Sequence, residues 1–186
     1  YRRVVDAVLE DNDSAEIVGF TATPNRGDGK GLRDVFNNCA HQIEIGSLIQ
    51  EGFLVRPKTF VVDLGINDQL DKAKAKRTYN LIKDSNRNVV YSSLLDKGVR
   101  VLTNYFDQKN ERYTVISGKI STKERQNIVE KFNNGRIKTL IVTDAANEGI
   151  DLKGVRTMVL MNPPWSEAKL TQIIGRGVRY RSHMHL

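Results

Sequence analysis

The residues with the clearest chemical potential lie in Gln172-Ile-Ile-Gly-Arg-Gly-Val-Arg179. On a helix, Gln172, Arg176 and Arg179 share one face, because they are separated by four and then three residues. Two guanidinium groups one turn apart repel, so the arrangement is favourable mainly where an anion neutralises it, and a planar fork suits phosphate oxygens. Gly175 and Gly177 each cost a helix about 1 kcal/mol relative to alanine. An exposed basic helix explains the arginines but not these glycines, which suggest that something approaches the backbone closely. A second candidate is Thr143-Asp-Ala-Ala-Asn-Glu-Gly-Ile-Asp151, where a hydroxyl and a returning carboxylate can face opposite sides of a loop. Alone it is a moderate signal, since polar loops after buried strands are common.

Positioning these groups requires a regular scaffold, and from Asn88 onward the pattern becomes regular. Asn88–Ser93, Tyr113–Ser117, Thr139–Thr143 and Thr157–Met161 read as strands, and Leu94–Gln108 as a helix. Gly98–Thr103 is an alternative strand, disfavoured because too little chain follows for another crossover helix. A further helix starts at Ser121, where Ser121 and Glu124 have capping-box spacing, and ends at Asn133-Asn134-Gly135; the last helix begins near Ser166. Upstream, Glu16–Phe20 and Lys58–Asp63 read as strands, Ser47–Glu51 as a helical patch ended by Gly52, and Asp71–Lys83 as a basic helix. Short apolar strands alternating with amphipathic helices predict an α/β fold: a parallel sheet covered on both faces, with ligands at the carboxyl ends of its strands. Ser92-Ser93, Ser117-Gly118, Thr143-Asp144 and Asn162–Trp165 each follow a strand.

With 186 residues and 39% hydrophobic content, the chain can form one substantial core and a small appendage. No apolar run approaches the roughly 18 residues needed to cross a membrane. A single cysteine, Cys39, excludes an internal disulfide framework, predicts an intracellular setting and reads as a small packed residue. The formal charge of +7 points to a polyanionic partner bound in a salt-dependent way. Lys72, Lys74, Lys76, Arg77, Lys83 and Arg87 form a local cluster that is either a solvated face or a phosphate contact.

Taken together, these segments resemble the superfamily-two helicases and translocases. Gly19–Pro24 is similar to that superfamily's third motif, Ser117-Gly118 with Glu124-Arg125 to the segment between motifs four and five, Thr143–Asp151 to motif five, and Gln172–Arg179 to motif six. Within the superfamily, Asn88–Ser93, Glu148–Leu152 and Arg179–His183 look most like helicases of large DNA viruses and their phage relatives. The resemblance implies a three-layer RecA-like C-terminal helicase lobe at 85–186, a connecting segment at 27–84, and the tail of a first lobe at 1–26. It implies that ATP and Mg²⁺ are used, with Mg²⁺ held mainly by the first lobe. Arg179 would be the arginine finger on the transferring phosphoryl group, with Arg176 beside it. Gln172 would order that site, and Asp151, with Gly149 near it, would meet the nucleotide's ribose. Thr143 and the Ser117-Gly118 turn would hold nucleic-acid phosphates, as would Ser92. Thr21 and Thr23 would couple nucleotide state to lobe movement. The implied partners are nucleic acid, DNA rather than RNA on the likeness alone, and the N-terminal lobe; no membrane partner is implied.

The phosphate cradle is not in this sequence. Gly27-Asp-Gly-Lys30 is followed by Gly31 rather than Ser or Thr, and no acidic box precedes Gly19. The chain alone is therefore expected to turn over negligible ATP. His183 and His185 lack further ligands for zinc, and Trp165 reads as packing before it reads as a base-stacking platform. A duplex translocase and a passive nucleic-acid-binding module are the competing functions. The complete Gln172–Arg179 pattern argues against the passive module.

Overall fold

In the computed structural model, residues 2–21, 32, 35–61, 69–144, 150–164 and 166–177 are described. Four parallel strands, β1 (Asn88–Ser92), β2 (Thr114–Ile116), β3 (Thr139–Thr143) and β4 (Thr157–Asn162), pair in the order β2-β3-β1-β4. The central strands β1 and β3 run in register from Asn88↔Thr139 to Ser92↔Thr143 and are buried along their whole length. Burial on both faces explains why they read as continuous apolar runs instead of alternating ones.

Successive strand residues still point to opposite faces, which divides the core in two. On one side Val89, Ile116, Leu140 and Val142 pack with Ile128 and Phe132 of α5 (Thr122–Asn133) and with Ile150, Leu152 and Val155. On the other, Val90, Ile141 and Met161 pack with Ala75 and Ile82 of α3 (Leu70–Ile82) and Leu102 and Phe106 of α4 (Val101–Gln108). The predicted parallel sheet with helices on both faces is the observed one.

Helix α5 starts where its sequence says it must. The Ser121 hydroxyl accepts the Glu124 N–H at 3.2 Å, and Gly135, at φ +75°, follows its end. The predicted Leu94–Gln108 helix forms as a wide π-helical turn over Leu95–Arg100 that runs into α4. Gly98 lets this turn sit against the strand ends: a Cβ there would lie 2.0 Å from Ser92 Oγ and 2.9 Å from Asn162 Oδ1. The strand alternative for 98–103 is thereby excluded.

Helix α3, assigned by sequence to the connecting segment 27–84, belongs to the lobe's core. Ala75, Thr78 and Ile82 are buried, and Tyr79 meets Phe106 edge-on at 6.3 Å. Upstream lie α1 (Arg2–Asp11) and α2 (Ile45–Gln50), the latter ended by Gly52 at φ +79° as expected. The strands expected at Glu16–Phe20 and Lys58–Asp63 do not form among the described residues, and Phe20 and Val61 are 96% and 95% exposed. A strand needs a neighbour for its backbone groups, and the sheet offers none to these segments. Cys39 is likewise exposed, not packed, and its thiol donates to the His41 carbonyl at 3.6 Å.

The amino edge of the sheet is held by side chains committed to structure. Arg87, at φ +57°, donates from Nη1 to the carbonyls of Asn133 and Lys153, both at 3.2 Å. It packs where a Cβ on Gly154 would come 2.9 Å from Nη1. Arg87 thus lies off the basic helix with which the sequence grouped it. Asn88 donates to the carbonyls of Ile82 and Ser85, fastening the end of α3 to β1, and the Lys138 ammonium reaches Glu111 and the Lys83 carbonyl, both at 2.8 Å.

Candidate nucleotide and nucleic-acid interface

The opposite, carboxyl edge collects the polar residues that the sequence singled out. Strand β1 ends at Ser92, β3 at Thr143 and β4 at Asn162, while β2 leads into a turn, Ser117–Ile120, closed by the Ile120 N–H on the Ser117 carbonyl at 3.2 Å. In that turn Ser117 is half-buried and Gly118 and Lys119 are exposed, directly before the positive N-terminal end of α5. The Thr143 hydroxyl lies beneath it, buried, and donates to the Ile116 carbonyl at 3.5 Å.

Ser92 is fully buried. Its hydroxyl lies 3.0 Å from both the Leu94 carbonyl and Asn162 Oδ1 and accepts the Leu94 N–H at 3.2 Å. In this arrangement Ser92 fixes the loop after β1 and cannot touch a ligand, so the expectation that it holds phosphate directly is not met.

Asp151 is parted from Thr143. Its carbonyl accepts from Asn133 Nδ2 at 2.9 Å, and the Lys153 N–H donates to Asn133 Oδ1 at 2.8 Å. Asn133 is the last residue of α5, and a crossover helix between parallel strands finishes at the sheet's amino edge. The two ends of the Thr143–Asp151 segment therefore stand at opposite edges of the sheet, not on two sides of one loop.

Helix α6 (Glu167–Gly177) starts after the carboxyl end of β4 and carries Gln172, which is exposed, and Arg176, one turn on. Ile173 is buried and anchors the helix. No atom lies within 4 Å of a Cβ built on Gly175. The close approach expected at this glycine is not made by the described residues. Thr21 is exposed. Thr23, Gly149, Trp165, Arg179, His183 and His185 lie outside the described residues.

One constellation was not visible as a sequence pattern. The Tyr91 hydroxyl donates to Asp144 Oδ1, and Lys169 Nζ holds Asp144 Oδ2 at 2.7 Å. Burial pushes the Tyr91 phenol well above its ordinary 10, with the hydrogen bond to Asp144 and its charge adding to the shift. At Asp144 burial also pushes upward, but hydrogen bonds from Lys169 and Tyr91 and the Lys169 charge outweigh it and hold the carboxyl below its ordinary 3.8. A carboxylate depressed in the folded state contributes stability above its unfolded pKa and loses it as pH falls through the folded value. The stability difference between wild type and Asp144→Asn is therefore expected to be full near neutrality and to shrink below about pH 4. Urea melts of both forms across that range measure it.

Among the described residues no group of three or more His, Cys, Asp or Glu is placed to hold a metal ion. On α6 the Gln172 side chain is exposed, and a Cβ on Gly175 would meet no described atom within 4 Å. The described residues offer no comparable set for Mg²⁺.

A parallel sheet of this order, flanked by helices and with its polar loops on the carboxyl edge, is the RecA-like lobe of helicases. Residues 73–181 match the model of the helicase conserved C-terminal domain, and the chain belongs to that family. Protein L538 of Acanthamoeba polyphaga mimivirus, whose name is that of an ATP-dependent RNA helicase, is 39% identical over 98 residues, 53% of this chain and 22% of that protein. Nucleoside triphosphatase I of Choristoneura biennis entomopoxvirus is 35% identical over 96 residues, 48% of this chain and 15% of that protein. Both are viral, as the sequence resemblance suggested, and the chain spans less than a quarter of either. The C-terminal part of the Fun30 ATPase domain shares the fold, with a TM-score of 0.52 at 16% identity over 62% of this chain and 39% of that one.

Proposed function

We propose that this chain is the C-terminal motor lobe of an ATP-driven helicase, working with a preceding lobe to unwind nucleic acid. The observation that carries this reading is the Ser117–Ile120 turn before α5, with Gly118 and Lys119 exposed. Backbone N–H groups at a helix N-terminus, together with a lysine, form a site for phosphate. In this reading Ser117 and Gly118 hold the nucleic-acid backbone, and Thr143 turns its hydroxyl outward when the strand docks. Ser92 keeps the neighbouring loop in place.

The nucleotide occupies the other set. Arg179 is the finger on the transferring phosphoryl group, Arg176 stands beside it, Gln172 orders the site, and Asp151 with Gly149 meets the ribose. ATP and Mg²⁺ enter mainly through the preceding lobe, since the Walker A sequence is absent here. Thr21 and Thr23 couple the two lobes. Phe20, Phe60 and Val61, each more than four-fifths exposed, fit a segment completed by that lobe. DNA is preferred over RNA on the motif likeness.

The test is strand separation by the complete protein on forked and blunt duplexes of DNA and of RNA, with and without ATP. ATP-dependent separation of forked DNA is the expected result. Movement on blunt duplex without separation would make the protein a translocase, and no ATP-dependent activity on any substrate would overturn the motor reading.

A further inference from the structure

Tyr91, Asp144 and Lys169 link three elements, and the roles proposed above use none of them. Tyr91 is the penultimate residue of β1 and is fully buried, so its hydroxyl is a fixed point. Asp144 follows Thr143 directly, accepts from the Tyr91 hydroxyl through Oδ1, and binds Lys169 through Oδ2 at 2.7 Å. Lys169 lies in the first turn of α6.

The spacing along α6 gives the link its direction. Lys169, Gln172 and Arg176 stand at i, i+3 and i+7, which places them on one helical stripe. Lys169 and Asp144 are both partly exposed, at 41% and 36%, and pairs in such settings contribute little to stability. What the pair can do is fix how α6 is rotated, and hence where its stripe faces. Any shift of Thr143 carries Asp144 with it and so moves the anchor of Lys169.

Resting on the proposed function, we propose that Lys169–Asp144–Tyr91 is a positioning relay. It makes the orientation of the Gln172–Arg176 stripe depend on whether nucleic acid occupies the edge at Thr143. Tyr91 holds one oxygen of Asp144 still, so that a backbone movement at Thr143 turns the carboxylate and draws Lys169 with it. The raised phenol and depressed carboxyl keep the hydroxyl a donor and Asp144 an acceptor across the neutral range.

The test is steady-state ATP turnover by the complete protein as a function of nucleic-acid concentration, for wild type, Lys169→Met, Lys169→Arg and Tyr91→Phe. Lys169→Met is expected to keep basal turnover within about twofold, lose about tenfold in nucleic-acid-stimulated kcat, and leave the KM for nucleic acid unchanged. Lys169→Arg, which preserves the pair, is expected to recover most of the stimulation. Tyr91→Phe, which preserves the ring packing, is expected to fall between Lys169→Met and wild type. Wild-type stimulation in Lys169→Met would overturn the relay. A parallel fall in basal and stimulated turnover would mean a purely structural role, and a raised KM at unchanged kcat would make Lys169 a phosphate ligand; either overturns the relay as well. If the wild type shows turnover that nucleic acid does not stimulate, the motor reading fails first and the relay falls with it.

Discussion

Replacing Arg179 with alanine is expected to lower nucleic-acid-stimulated ATP turnover of the complete protein by about 10³-fold or more. Binding of nucleic acid itself should change little. The size of the effect follows from what a guanidinium does beside a transferring phosphoryl group. Its fork meets charge that develops on the equatorial oxygens, so it stabilises the transition state more than the bound ground state. Arg176, three residues earlier, is expected to give a smaller loss, since its proposed role is to support the finger. Arg179→Lys should rescue poorly, because an ammonium cannot reproduce the planar fork. Normal stimulated turnover in Arg179→Ala would remove the finger assignment.

The second large effect is on stability and lies at the other edge of the sheet. Arg87→Ala is expected to destabilise the lobe by about 2–3 kcal/mol. The Arg87 guanidinium ties the Asn133 carbonyl, at the end of α5, to the Lys153 carbonyl, in the chain that returns to β4. Hydrogen bonds to charged groups are each worth more than neutral ones, and Arg87→Ala removes both. Arg87→Lys should recover little, since one ammonium does not span both carbonyls with the same geometry. Denaturant midpoints for the three forms measure it; a shift below about 0.5 kcal/mol would show the clamp to be incidental.

Where the determinants of structure are local, the sequence was a good guide. Ser121 and Glu124 marked the start of α5 because a capping box acts within one turn, and the apolar runs at Asn88–Ser92 and Thr139–Thr143 could hardly be anything but buried strands. The last helix was placed within one residue of its start for a similar reason. Failures came where a partner decides the outcome. Glu16–Phe20 has strand composition and no described sheet partner, so composition alone could not make it a strand. Arg87 looked like one more cation in a basic stretch, yet its positive φ turns it off the helix and toward two distant carbonyls.

The candidate site divides in the same way. The helix that carries Gln172 and Arg176 was legible from its spacing, which alone puts the two on one stripe. Ser92 and Thr143 were correctly placed at strand ends, but what their hydroxyls touch depends on Asn162 and Ile116, which arrive from other strands. Asp151 was misplaced relative to Thr143 because a short loop and a crossing of the whole sheet look alike in one dimension. The Tyr91–Asp144–Lys169 link gave no local signal at all, since its members come from β1, the end of β3 and α6. Only the strand order, with β1 and β3 adjacent, brings the first two together.

The most direct measurement is ATP turnover, with and without nucleic acid, by this 186-residue chain and by the complete protein. The expected result is turnover in the complete protein alone, increased by nucleic acid. The shorter chain should stay at background, because it lacks a phosphate cradle. Turnover absent from both forms would contradict the motor reading and leave Arg176 and Arg179 in need of another anion.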